Sequence, residues 1–206
     1  PSGAVFSDAA IEAVRDLAVD HDVAVVIDES YTDITYGAEP TSVGALEGMA
    51  ERTVTVSGFS KSYAMTGWRL GYFAGPGELI DQAGKVQSHS VSCAANFVQH
   101  AGVAALEAVD EAVEEMVTEF EARRDLLVDL LAGEGVDVAV PEGAFYLMLP
   151  VDDDDQAWCE TALEEAHVAT VPGSAFGTPG YSRVSYANSR DRIREAVERL
   201  AGAELL

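Results

Sequence analysis

The chain has 206 residues, of which 48% are hydrophobic: enough apolar side chain to build a core and too much for a disordered acidic tail. Thirty-six acids against twelve bases give a formal charge of −24, which repels phosphate backbones and anionic lipid surfaces and argues against nucleic acid or a membrane as partner. No apolar run is long enough to cross a bilayer, and the Pro1-Ser2-Gly3 start carries neither a basic flank nor an apolar signal core, so a cytoplasmic protein is expected.

In chain order, Ser7-Asp8 is an N-cap pattern, and Ile11, Val14, Leu17 and Ala18 recur at helical spacing, so a helix is predicted over about 7–20. Residues 23–27 form a short, mostly β-branched apolar run that suits a strand covered on both faces by helices and stops at Asp28. After a loop containing Gly, Pro and Thr, residues 53–56 read as a second strand. Residues 70–74 read as a third, ending at Gly75-Pro76-Gly77. Such alternation predicts an α/β sheet in which ligands sit beyond the carboxyl ends of the strands, where Asp28 and the segment from Ser57 onward fall.

From about 94 to 131 the pattern is helical, with Val113, Met116, Val117, Phe120 and Leu127 on one face and Gly133 as the stop. Residues 136–140 and 145–149 read as strands. The acids Asp152 to Asp155 invite a metal reading, but consecutive side chains point in different directions, and a solvated loop is expected. Residues 157–166 read as a helix, 168–171 and 183–186 as strands, and Ile193, Val197 and Leu200 mark a closing helix. Strands mixed with helices after the long helix suggest a second, smaller lobe, so two domains are expected, 1–109 and 110–206.

His21, His89, His100 and His167 show no ligand spacing, and no metal is expected. Cys93 and Cys159 form no CxxC pair and are read as small buried apolar side chains. Ten arginines stand against two lysines, Lys61 and Lys85, a composition that resembles proteins of salt-loving archaea and makes each lysine worth inspection.

The stretch Ser57 to Tyr72 surrounds Lys61 with small hydroxyl residues and carries Arg69 eight positions on. A lysine beside another cation at a strand end suits imine chemistry with a carbonyl, while the hydroxyls and the arginine suit an anion such as phosphate. A surface lysine with a structural arginine explains the spacing equally well. A nucleotide-hydrolase reading, prompted by Asp28-Glu29 at a strand end and Lys61-Ser62, needs a G-x-x-x-x-G-K-[ST] loop; Thr55 and Ser60 stand where its glycines belong. Glu29 would point away from Asp28 on an extended chain, so a paired-carboxylate mechanism is not indicated.

Asp28-Glu29-Ser30-Tyr31 matches a D-x-x-Y pattern and Ser60 to Tyr72 matches S-K-x-x-x-M-x-G-x-R-x-G-Y. Three later stretches, Pro141 to Tyr146, Pro172 to Gly177 and Arg183 to Ala187, follow in order. Together they resemble the fold-type I aminotransferases of classes I and II, closest in wording to the aspartate aminotransferase-like members, over nearly the whole chain.

The resemblance implies a fold and a set of roles. The fold is part of a large pyridoxal-phosphate-binding α/β sheet domain followed by a smaller α+β C-terminal domain. The cofactor is pyridoxal 5′-phosphate. Lys61 would bond its aldehyde and move the proton, Asp28 would pair with the ring nitrogen, and Tyr31 would donate to the phenolic oxygen. Arg69 would grip the phosphate and Arg183 the substrate α-carboxylate. Ser60 is placed near the phosphate, but relatives carry a serine three before the lysine where this chain has Gly58, so the choice between Ser57 and Ser60 stays open. Tyr72, Phe145 and Tyr146 are read as packing.

The reaction implied is transamination between an L-amino acid and a 2-oxo acid. The alternatives are a lyase or decarboxylase of the same fold type, or an inactive split-gene product. Residues 1–6 resemble the end of an N-P-x-N-P-x-G stretch, so the chain is expected to be the C-terminal half of an enzyme, inactive alone and a homodimer when complete.

Overall fold

The computed structural model describes residues 1–152 and 154–206 and divides into two compact units, Val5–Glu115 and Pro1–Ala4 with Met116–Leu206. The acidic tetrad falls partly on Asp153, which lies outside the described residues; among those described, no group of three or more His, Cys, Asp or Glu is placed to hold a metal ion. No described helix is long and apolar enough to cross a membrane.

In the unit Val5–Glu115, helix α1 (Asp8–Asp20) starts where the Ser7 hydroxyl accepts from the Ala10 N–H at 3.3 Å. This satisfies one of the donors a helix start leaves unpaired. Strands β1 (Val25–Asp28), β2 (Thr53–Gly58) and β3 (Gly71–Ala74) form a sheet in that order, β1 parallel and β3 antiparallel to the central β2.

Alternation along β1 decides its burial. Val25 and Ile27 pack on a core of Ile11, Ala18, Val43 and Met49, whereas Val26 on the other face is 74% exposed. Val43 and Met49, fully buried in that core, each contribute about 2 kcal/mol of transfer free energy. In this chain one face of β1 is covered, and β3 is exposed at all four residues.

Helix α3 (Gly77–Ser90) is not among the predicted elements, although Leu79, Ile80, Ala83 and Val86 recur at helical spacing; none of its residues is buried in this chain. The helical run predicted over 94–131 is two helices, α4 (Asn96–Ala108) and α5 (Asp110–Gly133), separated at Val109. The unit boundary lies inside α5. Cys93 is exposed, against expectation, while Cys159 is buried.

In the other unit, β4 (Tyr146–Pro150), β5 (Val171–Pro172) and β6 (Tyr181–Ser185) form an antiparallel sheet in the order β4-β6-β5, joined by α6 (Asp155–Glu164) and closed by α7 (Arg190–Gly202). Residues 136–140 form no strand. Gly135 takes φ +85°, and the Val136 N–H turns back to the Leu131 carbonyl at 2.9 Å, so the segment begins by capping α5. The strand predicted over 168–171 shortens for the same reason: His167 takes φ +55° and the Val168 N–H caps α6 at the Ala162 carbonyl.

Gly3 takes φ +71°, and its carbonyl accepts from the N–H groups of Glu142 and Gly143, both at 2.9 Å. A Cβ there would meet Pro141 Cβ at 2.6 Å, so the early Gly3 and the Pro141-Glu142-Gly143 stretch require one another.

Helices α5 and α7 are tied by Glu119, which accepts from Arg123 Nε at 2.8 Å and from Arg190 Nη2 at 2.5 Å. Those hydrogen bonds, that of Arg190 foremost, hold the Glu119 carboxyl down at about 2. Because the folded value lies below the ordinary one, the stabilisation is complete above the ordinary carboxylate range and is lost as pH falls towards 2. Glu119→Gln is therefore expected to lower stability near neutrality, with the gap to the parent closing between about pH 4.5 and pH 2 in urea unfolding followed by circular dichroism. A gap independent of pH would show that the carboxylate charge plays no part.

Candidate active site

The parallel pairing of β1 with β2 sets Asp28 opposite Val56. The chains leaving both strands thus emerge at the same, carboxyl end of the sheet. The Glu29 N–H continues the ladder to the Val56 carbonyl at 2.8 Å, after which residues 29–34 turn twice: Thr32 N–H to Glu29 O at 3.1 Å, and Ile34 N–H to Tyr31 O at 2.9 Å. Ile34 is fully buried and anchors the turn that carries Tyr31.

Beyond β2 the chain forms the single helical turn α2 (Phe59–Ser62), which holds Lys61. Phe59 and Met65 are buried with Ala105 of α4, and Leu70 packs on them. Gly102 of α4 permits this approach, since a Cβ there would meet Leu70 Cδ2 at 2.5 Å. The loop closes on itself through Phe59 N–H to Leu70 O and Met65 N–H to Phe59 O, both at 3.2 Å. At its other limb, Gly58 faces Gly71 across the β2–β3 ladder, and a Cβ at Gly58 would meet Gly71 Cα at 3.2 Å. Two bare glycines let the limbs that carry Lys61 and Arg69 leave the sheet side by side.

Lys61 is half-buried, with Nζ 5.6 Å from the centroid of the Tyr31 ring. Asp28 Oδ1 accepts from the Ser30 N–H at 2.9 Å and the Ser30 hydroxyl at 2.5 Å. Arg69 is exposed and left-handed (φ +55°); its Nη1 donates to the Thr66 carbonyl at 2.8 Å, and the Thr66 hydroxyl donates to the Ser60 carbonyl at 3.0 Å. Ser60 thus meets the Arg69 loop through its backbone, and Ser57 is half-buried in the β2–β3 ladder opposite Tyr72. Burial and then the charge of Asp33 push the Tyr63 phenol up.

Asp28, Tyr31, Ser60, Lys61 and Arg69 all belong to the unit Val5–Glu115; Arg183 belongs to the other. There its guanidinium carbon lies 4.4 Å from the Tyr146 ring centroid and 4.5 Å from that of Phe176. The register explains the first contact: Met148 pairs with Arg183, so Tyr146, two residues away on the same face, is its diagonal neighbour. Phe176 comes from the 3-10 turn Gly173–Phe176, which is held by Asp155 accepting from the Ser174 N–H at 2.7 Å and the Ser174 hydroxyl at 2.8 Å. Stacking on aromatic faces leaves the N–H groups at a guanidinium's edge for hydrogen bonding, a geometry suited to a carboxylate. A cavity of about 310 Å³ in the same unit, floored by Leu127, Leu131 and Ile193, includes none of these residues.

Sequence reasoning named Asp28 and Arg183 but not the residues that hold them, Ser30 and the Tyr146–Phe176 pair. The D-x-S spacing, a common local turn, was the available signal for the first. An amine, an acid, a phenol and a guanidinium displayed on adjoining segments of one sheet end make a donor set that fits a phosphorylated heteroaromatic aldehyde.

The family model described as aminotransferase class I and II matches residues 1–200. An aspartate aminotransferase of Pyrococcus abyssi is 41% identical over 208 residues, covering 97% of this chain and 54% of its own length. One of Pinus pinaster is 44% identical, covering 100% and 46%. The solved aspartate aminotransferase of Thermotoga maritima superposes with a TM-score of 0.92 at 40% identity, over 98% of this chain and 53% of that one. An aromatic aminotransferase from Pyrococcus horikoshii gives 0.91 at 40%, over 100% and 58%. The chain spans about half the length of the curated relatives it matches, and it belongs to the class I and II aminotransferase family.

Proposed function

We propose that the complete polypeptide is a pyridoxal-phosphate-dependent transaminase that moves an amino group between an L-amino acid and a 2-oxo acid. The observation that carries this reading is the meeting of Lys61 Nζ with the Tyr31 ring at the carboxyl end of the strand pair that ends in Asp28. When bound, the cofactor supplies an electron sink conjugated to the substrate's Cα. Lys61 would hold it through its ε-amine and would move the proton at the substrate's Cα. Asp28 holds the proton on the ring nitrogen, Tyr31 donates to the phenolic oxygen, and Arg69, with Ser60 beside it, binds the phosphate. Arg183 orients the substrate α-carboxylate.

In this reading the unit Val5–Glu115 is part of the large cofactor domain and the other unit is the small domain. The complete protein is a cytoplasmic homodimer, adapted to concentrated salt by its acidic surface. The relatives' names, aspartate and aromatic aminotransferase, make acidic and aromatic amino acids the first substrates to try. Incubating the complete polypeptide and cofactor with each amino acid and 2-oxoglutarate is expected to yield glutamate. Release of ammonia or carbon dioxide without glutamate would replace this reading with a lyase or decarboxylase.

A further inference from the structure

We propose that Ser30 is a positioning residue that holds one oxygen of Asp28 so that the other is presented to a single ring N–H donor. The inference rests on the cofactor reading above but concerns a residue that the D-x-x-Y pattern leaves unspecified. Asp28 Oδ1 accepts twice from Ser30, from the backbone N–H at 2.9 Å and from the hydroxyl at 2.5 Å. Oδ2 has no hydrogen-bond partner among the described residues.

The second torsion of an aspartate is broad, so an exposed carboxylate at a strand end turns freely unless something fixes its plane. Two donors on one oxygen fix it, and the hydroxyl bond is of the short, charge-assisted kind. The donor residue is itself held. The Glu29 N–H stays in the β2 ladder at the Val56 carbonyl, and the two turns that follow end on buried Ile34. A carboxylate with one oxygen occupied and the other open suits a lone N–H rather than a bidentate guanidinium. A heteroaromatic ring nitrogen presents such a lone N–H.

The test uses the complete polypeptide loaded with pyridoxal phosphate labelled with ¹⁵N in the ring, as the parent protein and as Ser30→Ala, Ser30→Thr and Asp28→Ala variants. Ser30→Ala keeps the backbone bond and loses the hydroxyl bond. It is expected to weaken cofactor binding by about 5- to 30-fold and to shift deprotonation of the ring nitrogen to lower pH, as read from its ¹⁵N shift. Ser30→Thr restores both. An unchanged titration in Ser30→Ala, or equal impairment in Ser30→Ala and Ser30→Thr, would overturn the role of the hydroxyl. If the nitrogen titrates identically in Asp28→Ala and the parent, the assignment of Asp28, and the function built on it, fails as well.

Discussion

Replacing Lys61 by alanine in the complete polypeptide is expected to abolish amino-group transfer, with a loss of at least about 10³-fold, because in the proposed function one side chain would supply both the attachment point and the proton carrier. Folding is expected to survive. Lys61 is half-buried at the surface of α2, and the buried contacts of that turn are made by Phe59, Ser62 and Met65. Lys85, the other lysine, provides the comparison. It lies exposed on α3, donating to Gln82 Oε1 at 3.0 Å, and Lys85→Ala leaves turnover unchanged. Steady-state transamination with both variants separates the two, and a fully active Lys61→Ala would remove the chemical basis of the assignment.

The largest structural effect is expected at Gly173. A Cβ there would run into the carbonyl oxygens of Thr178 and Tyr181, the latter at 2.7 Å, and both are backbone atoms that no rotamer change can move. The turn is closed by the Thr178 N–H on the Gly173 carbonyl at 3.0 Å and by Asp155 on Ser174, so relief requires opening it. Gly173→Ala is therefore expected to destabilise its unit by about 3 kcal/mol or more. The substitution is also expected to carry Phe176 away from Arg183, so under the proposed role of Arg183 substrate affinity is expected to fall with stability. Thermal unfolding and KM for the amino acid report the two consequences separately. An unchanged midpoint would mean that the turn yields without cost.

What the sequence made legible was local. Asp28 ends a β-branched run, Lys61 and Arg69 lie within one stretch, and the parallel register of β1 and β2 carries these segments to one end of the sheet. The aromatic faces around Arg183 were not legible, because they depend on the diagonal of the β4–β6 register and on a turn anchored by a distant buried acid, Asp155. Strand residues at 136 and 168 were misread because alternation cannot reveal that their N–H groups are already committed to helix ends. Helix α3 is absent from the predicted elements because its short stripe of Leu79, Ile80, Ala83 and Val86 surrounds Gly84 and follows directly on the Gly75-Pro76-Gly77 turn signal, both of which weaken a helical pattern.

The most direct measurement is reductive trapping: borohydride treatment of the complete polypeptide with pyridoxal phosphate, proteolysis, and mass mapping of the modified peptide. The label is expected on the peptide containing Ser60-Lys61-Ser62 and on no other. Labelling of Lys85 instead, or no stable adduct at any amine, would contradict the account.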